Sequence, residues 1–128
     1  MSAPEIDVYR LVGGMAFFEG LVDRFYAGVA EDPIFLPLYP EPEDLSGARH
    51  RLTLFLAQYW GGPPTYSEER GHPRLRMRHV PFAVGPAERD RWLYHMRAAV
   101  ADMHPSDEVA DALYRYFDFA AESMRNRD

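Results

Sequence analysis

Histidines are the first candidates for chemistry, because the chain contains no cysteine. Their spacing matches neither H-E-x-x-H nor the short zinc-ligand patterns, which argues against a mononuclear zinc hydrolase. His50 and His95 fall beside the apolar stripes of their predicted helices, so we expect both on the solvated surface. His104 is predicted in the last turn of a helix, where a cation complements the helix dipole. The two remaining histidines, His72 and His79, lie in a segment without helical periodicity.

His79 differs from the other histidines because apolar residues surround it in the sequence. Leu75, Met77, Val80 and Phe82 are available to wall an apolar ligand. An imidazole in this setting could bind iron through one ring nitrogen while its other N–H donates to a backbone carbonyl. The residue chemistry alone leaves two interpretations open, an iron ligand and an ordinary loop histidine.

A run of arginines precedes His79, although the formal net charge of the chain is −6. Arg70, Arg74, Arg76 and Arg78 occur there without an intervening acidic residue. Such a run is either a solvated positive loop or a clamp for the carboxylates of a ligand, which guanidinium groups bind well.

Three aromatic residues with polar hydrogens also have two interpretations. Tyr26, Tyr39 and Trp92 adjoin the apolar faces of predicted elements. Each could pack in the core with its polar hydrogen satisfied internally, or face a ligand.

The elements that position these residues are predicted to be helices. Apolar residues recur at helical spacing in four long stretches, and no stretch alternates as a half-buried strand does. Breaking or capping residues mark the ends of these stretches: Gly13-Gly14 and Asp32-Pro33, Asp44 and Gly61-Gly62-Pro63-Pro64, Gly85-Pro86, and Pro105-Ser106. The residues from Thr65 to Gly85 are predicted to form a long structured loop, which in a small domain is usually functional. The fold class is therefore all-α.

Composition limits the possible functions. A chain of 128 residues with 47% hydrophobic residues predicts one globular domain over residues 1–128, with residues 1–8 as a loose N-terminal extension. The acidic balance argues against nucleic-acid binding and against anionic membranes. No apolar run is long enough for membrane insertion, so we expect a cytoplasmic protein. Without cysteine, any haem must be held non-covalently.

Taken together, the motifs resemble the truncated haemoglobins of group II over nearly the whole chain. The resemblance rests on these landmarks: Gly13-Gly14, Arg24-Phe25-Tyr26, Tyr39-Pro40, the segment from Phe55 to Pro63, Tyr66-Ser67-Glu68, the run from Arg70 to His79, and Trp92. It implies a two-over-two helical sandwich around haem b, with His79 as the proximal ligand of a pentacoordinate iron. Tyr26, Tyr39 and Trp92 fall at the distal positions that stabilise a ligand.

The resemblance also implies further haem contacts. Those of the haem wall are Phe25, Leu52, Phe55, Leu75, Met77, Phe82 and Met96. Those near the propionates are Tyr66, Arg70, His72 and Arg76.

The function that this resemblance implies is reversible binding of O2 and of other diatomic ligands such as CO and NO. Polar donors in a dry pocket slow ligand escape, so we expect slow oxygen release and redox chemistry such as conversion of nitric oxide to nitrate. Oxygen transport is the formal family label. Peroxide reduction has less support, because the distal positions offer no carboxylate or histidine base.

Partners and alternatives remain open from the sequence. The redox chemistry would need a reductase, and the protein is expected to be a monomer or a homodimer. A haem-based sensor or haem-dependent interaction protein is the alternative from another functional class, and a haem-free helical bundle is the remaining one.

Overall fold

The computed structural model describes residues 6–128. Its helices are α1 Val8–Leu11, α2 Met15–Ala30, a 3-10 turn Leu36–Leu38, α3 Ser46–Tyr59, α4 Thr65–Arg70, α5 Leu75–Arg78, α6 Pro86–Met103 and α7 Asp107–Ser123. No strand occurs among these residues, and the predicted all-α class is confirmed. Helices α2, α3, α6 and α7 correspond to the four periodic stretches of the sequence.

The predicted ends of the long helices follow from local chemistry. Helix α2 begins after Gly13 and Gly14, whose φ angles of 89° and 98° lie in the region that favours glycine. It ends before Asp32, whose carboxylate accepts hydrogen bonds from two backbone N–H groups that follow it. Helix α7 begins after Ser106, whose hydroxyl accepts from the N–H of Val109 as an N-cap.

The cap of α3 differs from the prediction by one residue. Leu45 occupies the N-cap position and makes no side-chain hydrogen bond there. Asp44 instead accepts hydrogen bonds from the backbone N–H and the hydroxyl of Ser46, at 3.0 and 2.7 Å. The carboxylate therefore stabilises a turn at the start of the helix.

The segment from Thr65 to Gly85 is partly helical, which corrects the loop prediction. It contains α4 and α5, of 6 and 4 residues. Helices of one or two turns are too short to display an apolar period, and Gly71 separates them with a φ of 76°. The remainder of the segment is irregular, as expected.

The four long helices pack as two layers of two. Helix α2 contacts α3 and α6, and α6 contacts α7. At the end of α3, the rings of Tyr59 and Trp60 lie 4.2 and 5.5 Å from the ring of Tyr116 in α7, measured between centroids. The fully buried side chains between these layers are Phe18, Leu21, Val22, Phe25, Val29, Leu56, Met96, Val100, Leu113 and Phe117.

The chain before α2 is tied to the end of α3. The carboxylate of Asp7 caps α1, Val8 is fully buried, and the N–H of Tyr9 donates to the carbonyl of Trp60 at 2.9 Å. The loose extension predicted for residues 1–8 is thus wrong for residues 6–8, while residues 1–5 lie outside the described part. None of the described helices combines the length and hydropathy needed to cross a membrane.

Candidate functional site

His79 lies at the end of α5 with one ring nitrogen already bonded. Its Nδ1 is 2.7 Å from the carbonyl oxygen of Leu75, one helical turn earlier. Since a carbonyl only accepts, Nδ1 must carry the proton, and Nε2 keeps its lone pair. The backbone contact expected from the sequence is confirmed, and it leaves Nε2 as the nitrogen able to bind a metal.

The surroundings of His79 are apolar and open. Met77, Val80 and Phe82 are 56%, 63% and 37% exposed, which is unusual for large hydrophobic side chains. The ring of Phe82 lies 6.3 Å from the imidazole between centroids. Leu75 is half-buried and packs against the core. A single imidazole lone pair therefore lies among apolar side chains that could face an apolar disc.

A cluster of aromatic rings brings the three predicted distal residues near one another. Phe25 is fully buried and lies 4.9 Å from Tyr26 and 5.4 Å from Trp92 between ring centroids. Tyr26 lies 5.8 Å from Tyr39. Trp92 is half-buried and also contacts Phe117 at 5.6 Å. Helices α2 and α6 and the residue after the 3-10 turn thus supply one aromatic group.

Both tyrosine hydroxyls in this group keep their protons at neutral pH. Burial raises the pKa of Tyr26 to about 12, and the nearby Tyr39 hydroxyl offsets part of that rise. Burial also raises the pKa of Tyr39 well above its ordinary value, with the charge of Tyr26 adding to the effect. A neutral phenol can donate a hydrogen bond, whereas a phenolate cannot.

The remaining predicted wall residues lie in or against the core. Met96 is fully buried, and Leu52 packs against the core from a half-buried position. Phe55 and Tyr66 are both buried, with ring centroids 5.6 Å apart. Tyr66 is therefore a core side chain of α4, with the guanidinium of Arg78 6.0 Å from its ring centroid.

Part of the basic run lines a surface groove of about 370 Å³. The groove is formed by Arg70, Gly71, His72, Arg74, Met77 and Arg78, and Arg76 is not among its lining residues. The guanidinium of Arg78 donates to the carbonyls of Pro73 and Arg70, at 2.6 and 3.1 Å. Arg78 thus holds the loop together, and the other guanidinium groups remain at the surface.

His95 is buried, which corrects the prediction of a solvated surface histidine. It is 8% exposed, and its Nε2 lies 2.7 Å from a carboxylate oxygen of Asp32, which is itself 4% exposed. Arg91 donates to the same carboxylate at 2.6 and 3.0 Å. These hydrogen bonds, those from Arg91 above all, hold the pKa of Asp32 well below its usual range. Helical periodicity predicted a surface position for His95, because His95 lies beside the apolar stripe. The pattern within one helix could not reveal that its partner, Asp32, lies 63 residues away in the sequence.

The other two helical histidines remain at the surface. His50 is exposed, as predicted, with Nε2 3.1 Å from a carboxylate oxygen of Glu69. His104 is also exposed and follows α6 in a left-handed conformation with φ of 52°.

Comparison with known proteins identifies the family. A family model described as bacterial-like globin matches residues 7–126. The chain belongs to the bacterial-like globin family. It is 38% identical over 114 residues to the group 2 truncated hemoglobin YjbI of Bacillus subtilis, covering 89% of this chain and 85% of that protein.

Two solved structures resemble this globin closely. A thermostable hemoglobin of Thermobifida fusca shares 58% identity at a TM-score of 0.89, covering 92% of this chain and 95% of that one. A truncated oxygen-avid haemoglobin of Bacillus subtilis shares 37% identity at a TM-score of 0.86, covering 92% and 98%. The resemblance to group II truncated haemoglobins is therefore confirmed, and membership implies a haem cofactor and haem-based binding of small ligands.

The residues of this globin suit a haem. A lone imidazole with an available nitrogen stands among exposed apolar side chains, and arginines lie on the neighbouring loop. Haem combines one iron, an apolar ring and two carboxylates, and each of these has a chemically matching group in the segment from Arg70 to Phe82.

Proposed function

We propose that this globin binds haem b non-covalently through His79 as the proximal ligand of a pentacoordinate iron, and that Tyr26, Tyr39 and Trp92 stabilise a bound O2. The observation that carries the proposal is the hydrogen bond from His79 Nδ1 to Leu75. It fixes the tautomer, leaves Nε2 available and raises the basicity of the ring as a ligand.

The apolar side chains next to His79 offer a surface that could contact the ring of a haem. Met77, Val80 and Phe82 would lose much of their exposed area against an apolar ring, which favours binding by the hydrophobic effect. Arg70 and His72 line the surface groove, and we propose that they contact the haem propionates. Arg76 remains a prediction from the sequence, as does the proximity of Tyr66 to a propionate.

The distal donors account for the proposed retention of oxygen. When bound, haem iron supplies a site where a diatomic ligand can coordinate. The indole N–H of Trp92 can only donate, and Tyr26 and Tyr39 remain protonated donors at neutral pH. Phe25 is fully buried among them, and Tyr26 is 4% exposed. Fixed donors in such a dry environment favour a ligand that accumulates negative charge, so release should be slow.

Slow release favours a chemical role over simple delivery. We propose that nitric oxide would be converted to nitrate with the bound O2 as oxidant, and that a separate reductase would supply the one electron per turnover that restores ferrous iron. Stopped-flow mixing of the oxygen-equilibrated protein with nitric oxide measures this reaction, and slow, substoichiometric consumption would count against it. The oxygen-avid relative supports strong oxygen binding.

The test of the proposed haem ligation compares absorption spectra of the wild type, His79→Ala and His50→Ala with equal added haem. Ferric, ferrous and carbonmonoxy forms are recorded for each. We expect the histidine-ligated carbonmonoxy spectrum in the wild type and in His50→Ala, because the imidazole of His50 is exposed and its hydrogen bond goes to Glu69. His79→Ala should lose that spectrum and regain it with added imidazole. An unaltered spectrum in His79→Ala would show that another residue binds the iron.

A further inference from the structure

The segment that follows His79 has little structure of its own. Between α5 and α6, the N–H of Val80 bonds to Met77 and the N–H of Phe82 bonds back to the carbonyl of His79. The side chains of Val80 and Phe82 project from this segment with large exposed fractions. The N–H of His79 donates to the carbonyls of Leu75 and Arg76 in α5, so local contacts hold the start of this segment, and its later residues depend on contacts from elsewhere in the chain.

A restraint from a distant part of the chain comes from Asn126, which lies beyond the end of α7. Its Nδ2 donates to the carbonyl of His79 at 3.2 Å and to that of Phe82 at 2.8 Å. Its Oδ1 accepts from the N–H of Val84 at 2.8 Å. Its own N–H donates to the carbonyl of Val84 at 2.8 Å. One residue thus makes four hydrogen bonds to residues 79–84.

The assignment of the two amide atoms is fixed by their partners. Val84 presents an N–H, which requires an oxygen opposite it, and the two carbonyls require a donor. Asparagine is the short side chain that supplies both. A second backbone bond, from the N–H of Arg127 to the carbonyl of Val84 at 3.1 Å, holds the same chain end against the loop.

We propose that Asn126 is a positioning residue for the His79 imidazole. The ring is tethered through Nδ1 to Leu75, and the backbone of the same residue is tethered through its carbonyl to Asn126. One restraint acts on the side chain and the other on the backbone, and together they limit the directions in which Nε2 can point. This inference rests on the proposed function, because it matters only if Nε2 binds the iron.

One substitution distinguishes the acceptor Oδ1 of Asn126 from its donor Nδ2. Asn126→Asp keeps an oxygen for the Val84 N–H but replaces the donor with an oxygen that faces two carbonyls. Asn126→Ala removes both atoms. Arg125→Ala is the matched control in the same segment, because among residues 6–128 that guanidinium bonds only to Glu122 and to the carbonyl of Arg127.

The readout is the iron–histidine stretching band in the resonance Raman spectrum of the ferrous holoprotein, with the rate of haem transfer to apomyoglobin as a second measurement. We expect the band to broaden and shift in Asn126→Asp and Asn126→Ala. Haem loss should accelerate about 2- to 12-fold, the equivalent of one net hydrogen bond. Amide exchange at Val84 should stay protected in Asn126→Asp, which verifies that the fold is retained. Arg125→Ala should match the wild type in all three measurements.

Each possible failure identifies a different error. A wild type without an iron–histidine band would overturn the proposed ligation by His79. A normal wild-type band that is unchanged in Asn126→Asp, together with an unchanged rate of haem loss, would overturn the positioning role while leaving the ligation intact. If Asn126→Ala does not fold, Asn126→Asp still decides the question.

Discussion

Substitution of Gly28 by alanine tests how tightly α2 and α6 pack beside the distal aromatic group. An added Cβ would lie 2.8 Å from Nδ1 of His95, closer than real Cβ contacts occur. The imidazole cannot retreat freely, because its Nε2 is bonded to the buried carboxylate of Asp32. We therefore expect Gly28→Ala to force a shift of a tethered ring, with a loss of stability.

The expected magnitude follows from two opposing effects. Inserting a methyl group into a well-packed site costs about 1–3 kcal/mol. Replacing glycine by alanine inside a helix gains about 0.5–1 kcal/mol. Gly20→Ala, in the same helix, is the matched control, because its methyl would meet Met103 Cε at 3.1 Å and Arg24 Nη1 at 3.3 Å, the ends of flexible side chains. Gly20→Ala should retain the stabilisation that alanine gives inside a helix. The free energies of unfolding of the two variants should therefore differ by about 1–3 kcal/mol.

The assay is urea unfolding of the holoproteins at equal haem loading, followed by helical circular dichroism, since bound haem adds to the apparent stability. Equal gains in the two variants would refute the reasoning about His95. The double variant Gly28→Ala with His95→Ala supplies a further check. Relative to His95→Ala alone, the added methyl should then be tolerated, because the obstructing ring is gone. A penalty that persists would assign the clash to another group.

Two further predictions concern the distal side. Trp92→Phe keeps an aromatic ring but removes the indole N–H, so oxygen dissociation in stopped-flow measurements should accelerate about 2- to 12-fold for one hydrogen bond; Trp60→Phe is the control, and equal rates for the wild type and Trp92→Phe would exclude the donor role. The pKa of Tyr26, raised to about 12, predicts that its contribution to stability is intact below pH 10 and is lost as the pH rises from about 10 to about 12, because only the unfolded chain ionises there. Unfolding should be measured at a series of pH values. Over that interval the free energy of unfolding of Tyr26→Phe should fall by about 2–3 kcal/mol less than that of the wild type. Equal decreases in the two proteins would contradict the burial of the hydroxyl.

The long helices were predictable because each carries enough turns for its apolar period to appear. Helix α7 illustrates this: Ser106 marks its start, and Val109, Leu113 and Phe117 fall on one face and are buried. Helices α4 and α5 escaped prediction because they have 6 and 4 residues, too few for an apolar period to appear. The apolar pattern therefore predicts the long core helices but not the short helices that precede His79.

The residues of the candidate site were predictable where their partners lie close to them in the sequence. His79 could be singled out from the apolar residues within four positions of it, and its Nδ1 contact with Leu75 spans one helical turn. The supporting residues could not be found in this way. His95 meets Asp32 across 63 positions, and Asn126 meets His79 across 47. The sequence does not show which residues pair over such distances, and His95 and Asn126 taken alone have the pattern of ordinary surface residues.

The two sides of the proposed haem site are therefore stabilised by different interactions, and this decides how each should respond to substitution. On the proximal side, directional hydrogen bonds from Asn126 and to Leu75 restrain His79, so loss of one donor should alter ligand geometry with little change in the fold. On the distal side, the ring of Phe25 makes an edge contact with His95, which is bonded to the buried carboxylate of Asp32. Substitutions there should change stability and ligand release together, because the same contacts determine both.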